Sequence, residues 1–270
     1  MIENRKEEER KFHDNLRDGT FGQRWSPALE KLIQENPLWD NMKYYSVERE
    51  SRKRVLGWFS SNCKDKKVLD YCCGNGDDSF IIAEAGAKEI IGIDLSEVSI
   101  ENCKKRALQE RLEGKMSFKV MDAESLQFND GSFDIVNEYG ALHHLNLEKA
   151  YSEVSRILNA EGKFLCTETL GHNPFIHYYR KKTPELRTPW EVEHILKKKD
   201  IYMAKKYFKK IEILGFFHLF ALAAVPLRNT SGFNIILSVL ETIDSIILKL
   251  PLLKWQAWQV VFVLSNPQKP

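Results

Sequence analysis

A chain of 270 residues with five cysteines and no CxxC spacing has neither the pairs of a disulfide framework nor the clustered thiols of a zinc site. Cys63, Cys72, Cys73, Cys103 and Cys166 are odd in number and fit a reducing compartment, and no metal is expected. An excess of one charge is also missing. Lys and Arg number 40 against 38 acidic residues, so the broad positive field of a nucleic-acid binder is absent and no such partner is expected. Long apolar runs are lacking too. The longest uncharged stretch, 213–227 with histidine taken as neutral, contains His218 and Pro226 and falls short of the roughly 20 apolar residues that span a bilayer. Residues 1–17 alternate acidic and basic side chains around no apolar core, so no secretory signal is read and a cytoplasmic location is expected.

What is present is a 43% hydrophobic composition, enough to bury a sizeable core in one domain with insertions. Up to residue 64 the chain is polar and helical in tendency, with Trp25, Trp39, Tyr44 and Tyr45 scattered through it. A βα rhythm then begins. Strands are predicted at 67–71, 89–94, 116–121, 133–137 and 163–167, and helices at 77–85, from the Ser96 cap to about 112, and at 147–158. Such units with short joins build a doubly wound parallel sheet. Beyond residue 169 the rhythm breaks: 171–188 reads as a long connection or lid and 192–207 as a Lys-rich helix. Two further strands are expected at 211–221 and 257–264, with 226–255 inserted between them. The division is therefore an N-terminal helical extension or lid (1–64), a nucleotide-binding core (65–170) and a completion of the same domain with a helical lid (171–270).

Ligands in doubly wound sheets sit beyond the carboxyl ends of the strands. There the turn Cys72, Cys73, Gly74, Asn75, Gly76 follows Asp70, and its two glycines allow close backbone approach, although such turns also occur without a ligand. Asp94 ends the next strand, where a carboxylate can accept both ribose hydroxyls of an adenosine. A nicotinamide dinucleotide fits poorly: the third glycine of GxGxxG is replaced by Ser79, and Asp77 and Asp78 put negative charge where a pyrophosphate belongs. An adenosyl sulfonium carries no phosphate and suits these acids. Asp122, after the third strand, can reach the adenine amine or simply cap the turn 124–126.

The runs VLDYCCGNG, IGIDLS, VMDAESLQF, FDIVNEYGALHHL and EVSRILNAEGKFLCTE together resemble the successive motifs of class I S-adenosylmethionine-dependent methyltransferases over about residues 65–170. The resemblance implies a Rossmann-like seven-stranded α/β sheet with an antiparallel last strand, and S-adenosyl-L-methionine as cofactor, leaving as S-adenosyl-L-homocysteine. It implies that Asp70, Cys72, Gly74 and Gly76 lie against the methionine part, the family usually having Gly at Cys72. Asp94 is implied to hold the ribose, Leu95 to flank the adenine, Asp122 and Ala123 to meet its edge, and Asn137 and Glu138 to border the methionine carboxylate and the acceptor. The Asn-Pro-Pro-aromatic signature of amino-directed members is missing, which places the chain nearer members acting on small molecules or lipids. A non-catalytic S-adenosylmethionine-binding or adaptor protein is the alternative.

Methyl transfer from a sulfonium needs alignment, and a base only where the acceptor must lose a proton. His143 and His144, beyond the fourth strand, are the catalytic candidates; one is expected to face the acceptor unless they cap the next helix or pack in the core. Tyr44 and Tyr45 either close the pocket or are core aromatics. Within 226–255, polar Asn234, Ser238, Glu241, Ser245 and Lys249 recur every three or four residues on an otherwise apolar helix. This helix is read as an apolar lid over a hydrophobic, lipid-like acceptor, or as a structural cap or homodimer contact. The lysines from Lys197 to Lys210 either face anionic lipid headgroups, giving peripheral membrane contact, or form a solvated face.

Overall fold

The computed structural model describes residues 2–17 and 26–269, so Trp25 lies outside the described residues. In chain order the elements are α1 (Ile2–Arg17), α2 (Pro27–Glu35), α3 (Arg49–Asn62), β1 (Lys67–Tyr71), α4 (Asp77–Glu84), β2 (Glu89–Asp94), α5 (Glu97–Gln109), β3 (Met116–Val120) and β4 (Phe133–Tyr139). Then come α6 (Leu147–Ile157), β5 (Leu158–Thr169), α7 (Pro174–Lys182), α8 (Pro189–Glu193), α9 (Lys198–Met203), β6 (Phe208–Phe217), α10 (Phe233–Ile247) and β7 (Gln259–Pro267). The seven strands form one sheet in the order β3-β2-β1-β4-β5-β7-β6. β1 to β5 run parallel, and β7 is antiparallel to both β5 and β6. The expected Rossmann-like sheet with an antiparallel last strand is what folds.

Both faces of the sheet are covered because the strands are apolar at odd and even positions alike. Leu69, Tyr71, Ile91, Ile93, Val136, Phe164, Cys166 and Phe262 point to one side, where α6 packs through Ala150, Tyr151, Val154 and Ile157. Val68, Ile90, Ile135, Leu165 and Val263 point to the other, against Val55 and Phe59 of α3, Phe80 of α4 and Ile100 and Cys103 of α5. The helix starts follow local chemistry. Ser96 caps α5 by accepting from the Ser99 N–H, as expected, and Asn146 caps α6 by accepting from Lys149. Strand order reverses between β1 and β4, which opens the crevice beyond Tyr71 and Tyr139.

Three segments differ from expectation. The 171–188 connection contains α7, started by the Asn173 cap and Pro174 in its first turn, a helix signal disguised as loop composition. The Lys-rich segment is broken into α8 and α9, because Ile195 and Leu196 are buried and Leu196 pairs with Leu170 in extended conformation. β6 stops at Phe217, where His218 takes a left-handed φ of 64°.

Candidate active site

The turn after β1 is wound tightly by three left-handed residues, Cys72 (φ 55°), Gly74 (φ 52°) and Gly76 (φ 78°). Cys72 adopts the conformation that glycine would take at no cost, so its place in the motif is kept with a strained residue. The turn is tied down from below and from the side. Asp70, 3% exposed, accepts from Ser79 Oγ at 2.5 Å and from Asn137 Nδ2 at 3.0 Å. Asn137 also donates to Asp78, which pairs with Arg52 at 2.8 Å. Burial, and then the charge of Asp78, push the Asp70 carboxyl up to about 7. Asp94 accepts the Gly74 N–H on Oδ2 and the Ser96 N–H on Oδ1, both at 2.9 Å. Its carboxylate is thus fixed at the lip of the turn, with lone pairs left for further donors.

Two cavities flank this turn. One of about 370 Å³ is lined by Asp70, Cys72, Gly74 and Asp78; the other, about 80 Å³, by Asp94, Leu95, Asp122 and Ala123. The residues assigned to an adenosyl group from the sequence are therefore brought together. Asp122 caps its own turn as well as lining the cavity, accepting the Glu124 N–H at 2.9 Å. α1, part of the expected N-terminal helical extension or lid, lines the smaller cavity, and its pairing with the acids there was not foreseen: Lys6 Nζ is 2.5 Å from Asp122, and Arg17 Nη1 is 3.7 Å from Asp94 and 3.2 Å from Ser99 Oγ. Its alternating charges look like a solvated helix until these acids are placed opposite them.

Asn137 and Glu138 do not stand in the cavity walls; they are 1% and 0% exposed and lie behind them. Glu138 accepts the Ala141 N–H at 2.9 Å, and burial, reinforced by Glu168, holds its carboxyl well above the ordinary range. Their expected place at the pocket is taken by Tyr139 and Gly140. Tyr139 borders both small cavities and a third, large one of about 830 Å³. Its hydroxyl donates to Glu48, whose Oε1 also accepts from Gln259 Nε2 at 2.5 Å. Burial pushes the Glu48 carboxyl up to about 7, against the opposing pull of Tyr139, Arg52 and Gln259. Glu48 carries no sequence motif and was not foreseen; it arrives through the fold, from the cap of α3.

His143 and His144 both line the large cavity, in the 3-10 turn Leu142–His144, with ring centroids 4.3 Å apart. The expectation that only one faces it rested on α-helical geometry, which this turn lacks. His143 Nδ1 meets Glu168 at 2.7 Å and His144 Nδ1 meets Glu9 at 3.0 Å. Burial alone lowers the His144 pKa, but the Glu9 carboxylate outweighs it and raises it. Neither histidine caps α6, since Asn146 does. Tyr44, packed on Tyr179 and Trp258, and Tyr45 line the cavity as well. Much of the remaining wall is apolar, from Leu16, Leu38, Met42, Phe175, Phe220 and Leu253. The expected lid is corrected in one respect. No residue of α10 is in that wall among the described residues; the segment before it supplies Leu219, Phe220, Leu222 and Ala223. α10 stands behind them, with Asp244 accepting the N–H groups of Leu219, Phe220 and Ala221 at 3.0, 2.7 and 3.1 Å.

Comparison with known proteins agrees with this geometry. A protein-family model described as a methyltransferase domain matches residues 62–211. The demethylmenaquinone methyltransferase of Lactococcus lactis is 32% identical over 117 residues, 42% of this chain and 45% of that protein. The eEF1A lysine and N-terminal methyltransferase of Bos taurus is 33% identical over 111 residues, 37% of this chain and 16% of that protein. The chain thus spans less than half the length of either relative. In fold, it is similar to the geranyl diphosphate C-methyltransferase of Streptomyces coelicolor, with a TM-score of 0.57 at 13% identity over 81% of this chain and 77% of that one. Glycine turn, the acid at the end of β2, strand order and family match converge: the chain belongs to the class I S-adenosylmethionine-dependent methyltransferase family.

Proposed function

We propose that this protein transfers the methyl group of S-adenosylmethionine to an apolar, lipid-like acceptor held in the 830 Å³ cavity. The observation that carries this reading is the meeting of three cavities at Tyr139 and Arg17, with the proposed cofactor residues on one side and a largely apolar chamber on the other. A chamber of that volume is within the roughly 300–1,000 Å³ of small-molecule sites. Bound beside the glycine turn, the cofactor supplies a methyl on a sulfonium, an activated group that needs no metal for transfer.

The protein's own part is placement. Asp94 accepts the ribose hydroxyls, Asp122 and Ala123 meet the adenine edge and Leu95 flanks it. Asp70 holds the turn in shape through Ser79 and Asn137. Lys6 and Arg17 turn aside from Asp122 and Asp94 as the adenosine enters, because the 80 Å³ beside them is less than such a group needs. His143 and His144 hold the acceptor or take its proton, each kept in one orientation by a carboxylate. The rim supports contact with a lipid surface: Leu38, Phe175, Phe220 and Leu253 line the cavity yet are 39%, 82%, 43% and 39% exposed. Alanine at His143 and at His144 tests the catalytic part. Loss of the base lowers turnover by roughly 10²-fold or more with S-adenosylhomocysteine affinity nearly unchanged. Wild-type turnover in both variants would remove the histidines from the chemistry.

A further inference from the structure

The large cavity is mostly apolar, yet two guanidinium groups stand in its wall. Arg180 and Arg187 both line it and are 7% and 8% exposed. α7 places the first: Tyr178 stands on its outer face, 65% exposed, while Ile176, Tyr179 and Arg180 turn to the cavity. Arg187, just after the 3-10 turn Pro184–Leu186, is anchored by the Thr183 carbonyl and hydroxyl at 2.7 and 2.8 Å and by Asn41 Oδ1 at 3.1 Å. One carboxylate serves both. Glu191 Oε1 lies 2.8 Å from Arg180 Nη2 and 3.6 Å from Arg187 Nε. The same oxygen is 4.0 Å from His143 Nε2.

Among the described residues, two buried cations therefore share one carboxylate. The Nε of each arginine is buried with no acceptor, and unpaired buried charge is costly enough that proteins keep it where a ligand or partner offsets it. Burial, and then the like charge of Arg180, lower the Arg187 pKa, the direction expected of a guanidinium short of counter-charge. The cluster lies in a cavity wall rather than at a packed helix junction, so what offsets it can come from outside the chain.

We infer that Arg180 and Arg187 form the receiving site for an anionic head group of the acceptor, a phosphate or carboxylate joined to an apolar tail. The inference rests on the proposed apolar acceptor and specifies its other end. A guanidinium plane presents paired donors that match the oxygens of such an anion. The tail then runs along Leu38, Phe175 and Phe220 to the exposed rim, so an amphiphile enters head first from a lipid surface.

Calorimetry on the full chain with octyl phosphate, octanol and inorganic phosphate tests this. Octyl phosphate should bind at least tenfold more tightly than octanol, and inorganic phosphate more weakly than octyl phosphate. Arg180→Gln and Arg187→Gln should each bring octyl phosphate down to the affinity of octanol while leaving octanol binding as in the wild type. Arg187→Lys should keep part of the preference, and it decides the matter together with the wild-type comparison if a glutamine variant folds poorly. Equal binding of octyl phosphate and octanol overturns the head-group site and leaves the apolar acceptor standing. Binding of neither octyl probe removes both. Inorganic phosphate binding as tightly as octyl phosphate makes this a free-anion site and also overturns the proposal.

Discussion

Asp94 illustrates how one side chain serves structure and ligand together. Both of its oxygens hold backbone N–H groups, and the same carboxylate lines the small cavity proposed to take the adenosine. Replacing it by alanine should cost S-adenosylhomocysteine a few kcal/mol of binding, at roughly 1.5–3 kcal/mol for each charge-assisted hydrogen bond lost; calorimetry on a folded variant with unchanged affinity would refute the assignment. Glu48 gives a pH prediction. Its carboxyl is raised from 4.5 to about 7 in the fold by burial, so between those values the folded state keeps a proton that the unfolded state has lost. Stability from this group is present below about pH 4.5 and falls as pH rises toward 7, by an upper bound of roughly 3.5 kcal/mol at about 1.4 kcal/mol per unit. Glu48→Gln should flatten that loss, read as a smaller drop in Tm between pH 5 and pH 8 than in wild type. An identical drop in both proteins would contradict it; Asp70, also raised, contributes equally to each. Of these residues Asp94 was legible in the sequence because it ends a predicted strand after a glycine turn. Glu48 was not, since only tertiary packing brings the cap of α3 to Tyr139 and Gln259.

At the scale of elements, the βα units were legible because strand and helix periods alternate cleanly from Lys67 to Thr169. What the sequence did not show was contact between distant elements. α1 carries Lys6 and Arg17 to two acids more than seventy residues away, and α10, read as a lid, supports the wall through Asp244. That support yields an expectation. Asp244→Ala leaves three N–H groups of the wall segment without their acceptor, one on half-buried Leu219 and one on fully buried Ala221, and should lower unfolding stability by about 2–4 kcal/mol. Chemical denaturation measures it, and a loss under about 0.5 kcal/mol would show that the segment holds itself.

For the whole molecule, the described helices include none long and apolar enough to cross a membrane. Apolar side chains are instead exposed at the cavity mouth, on α10 and in the turn after it: Ile235 is 72%, Ile246 62% and Val239 56% exposed on the helix, and Leu252 86% beyond it. The apolar face of this helix was legible as a period; that it points outward was not, because the buried side is set by Phe233, Leu237 and Asp244. Flotation with anionic liposomes should recover a bound fraction, and Phe175→Asp with Leu252→Asp should abolish it. No bound wild-type protein at low or physiological salt would end the membrane reading while leaving the chamber intact.

The central claim is methyl transfer into an apolar acceptor, and the most direct measurement is incubation of the purified protein with methyl-labelled S-adenosylmethionine and fractionated cell lipid and aqueous extracts. Mass spectrometry then identifies whatever gains the label, alongside the S-adenosylhomocysteine formed. The account predicts label in an organic-phase molecule with matching S-adenosylhomocysteine, both lost in Asp94→Ala. Label confined to protein or to water-soluble fractions, or none in any fraction, would contradict it.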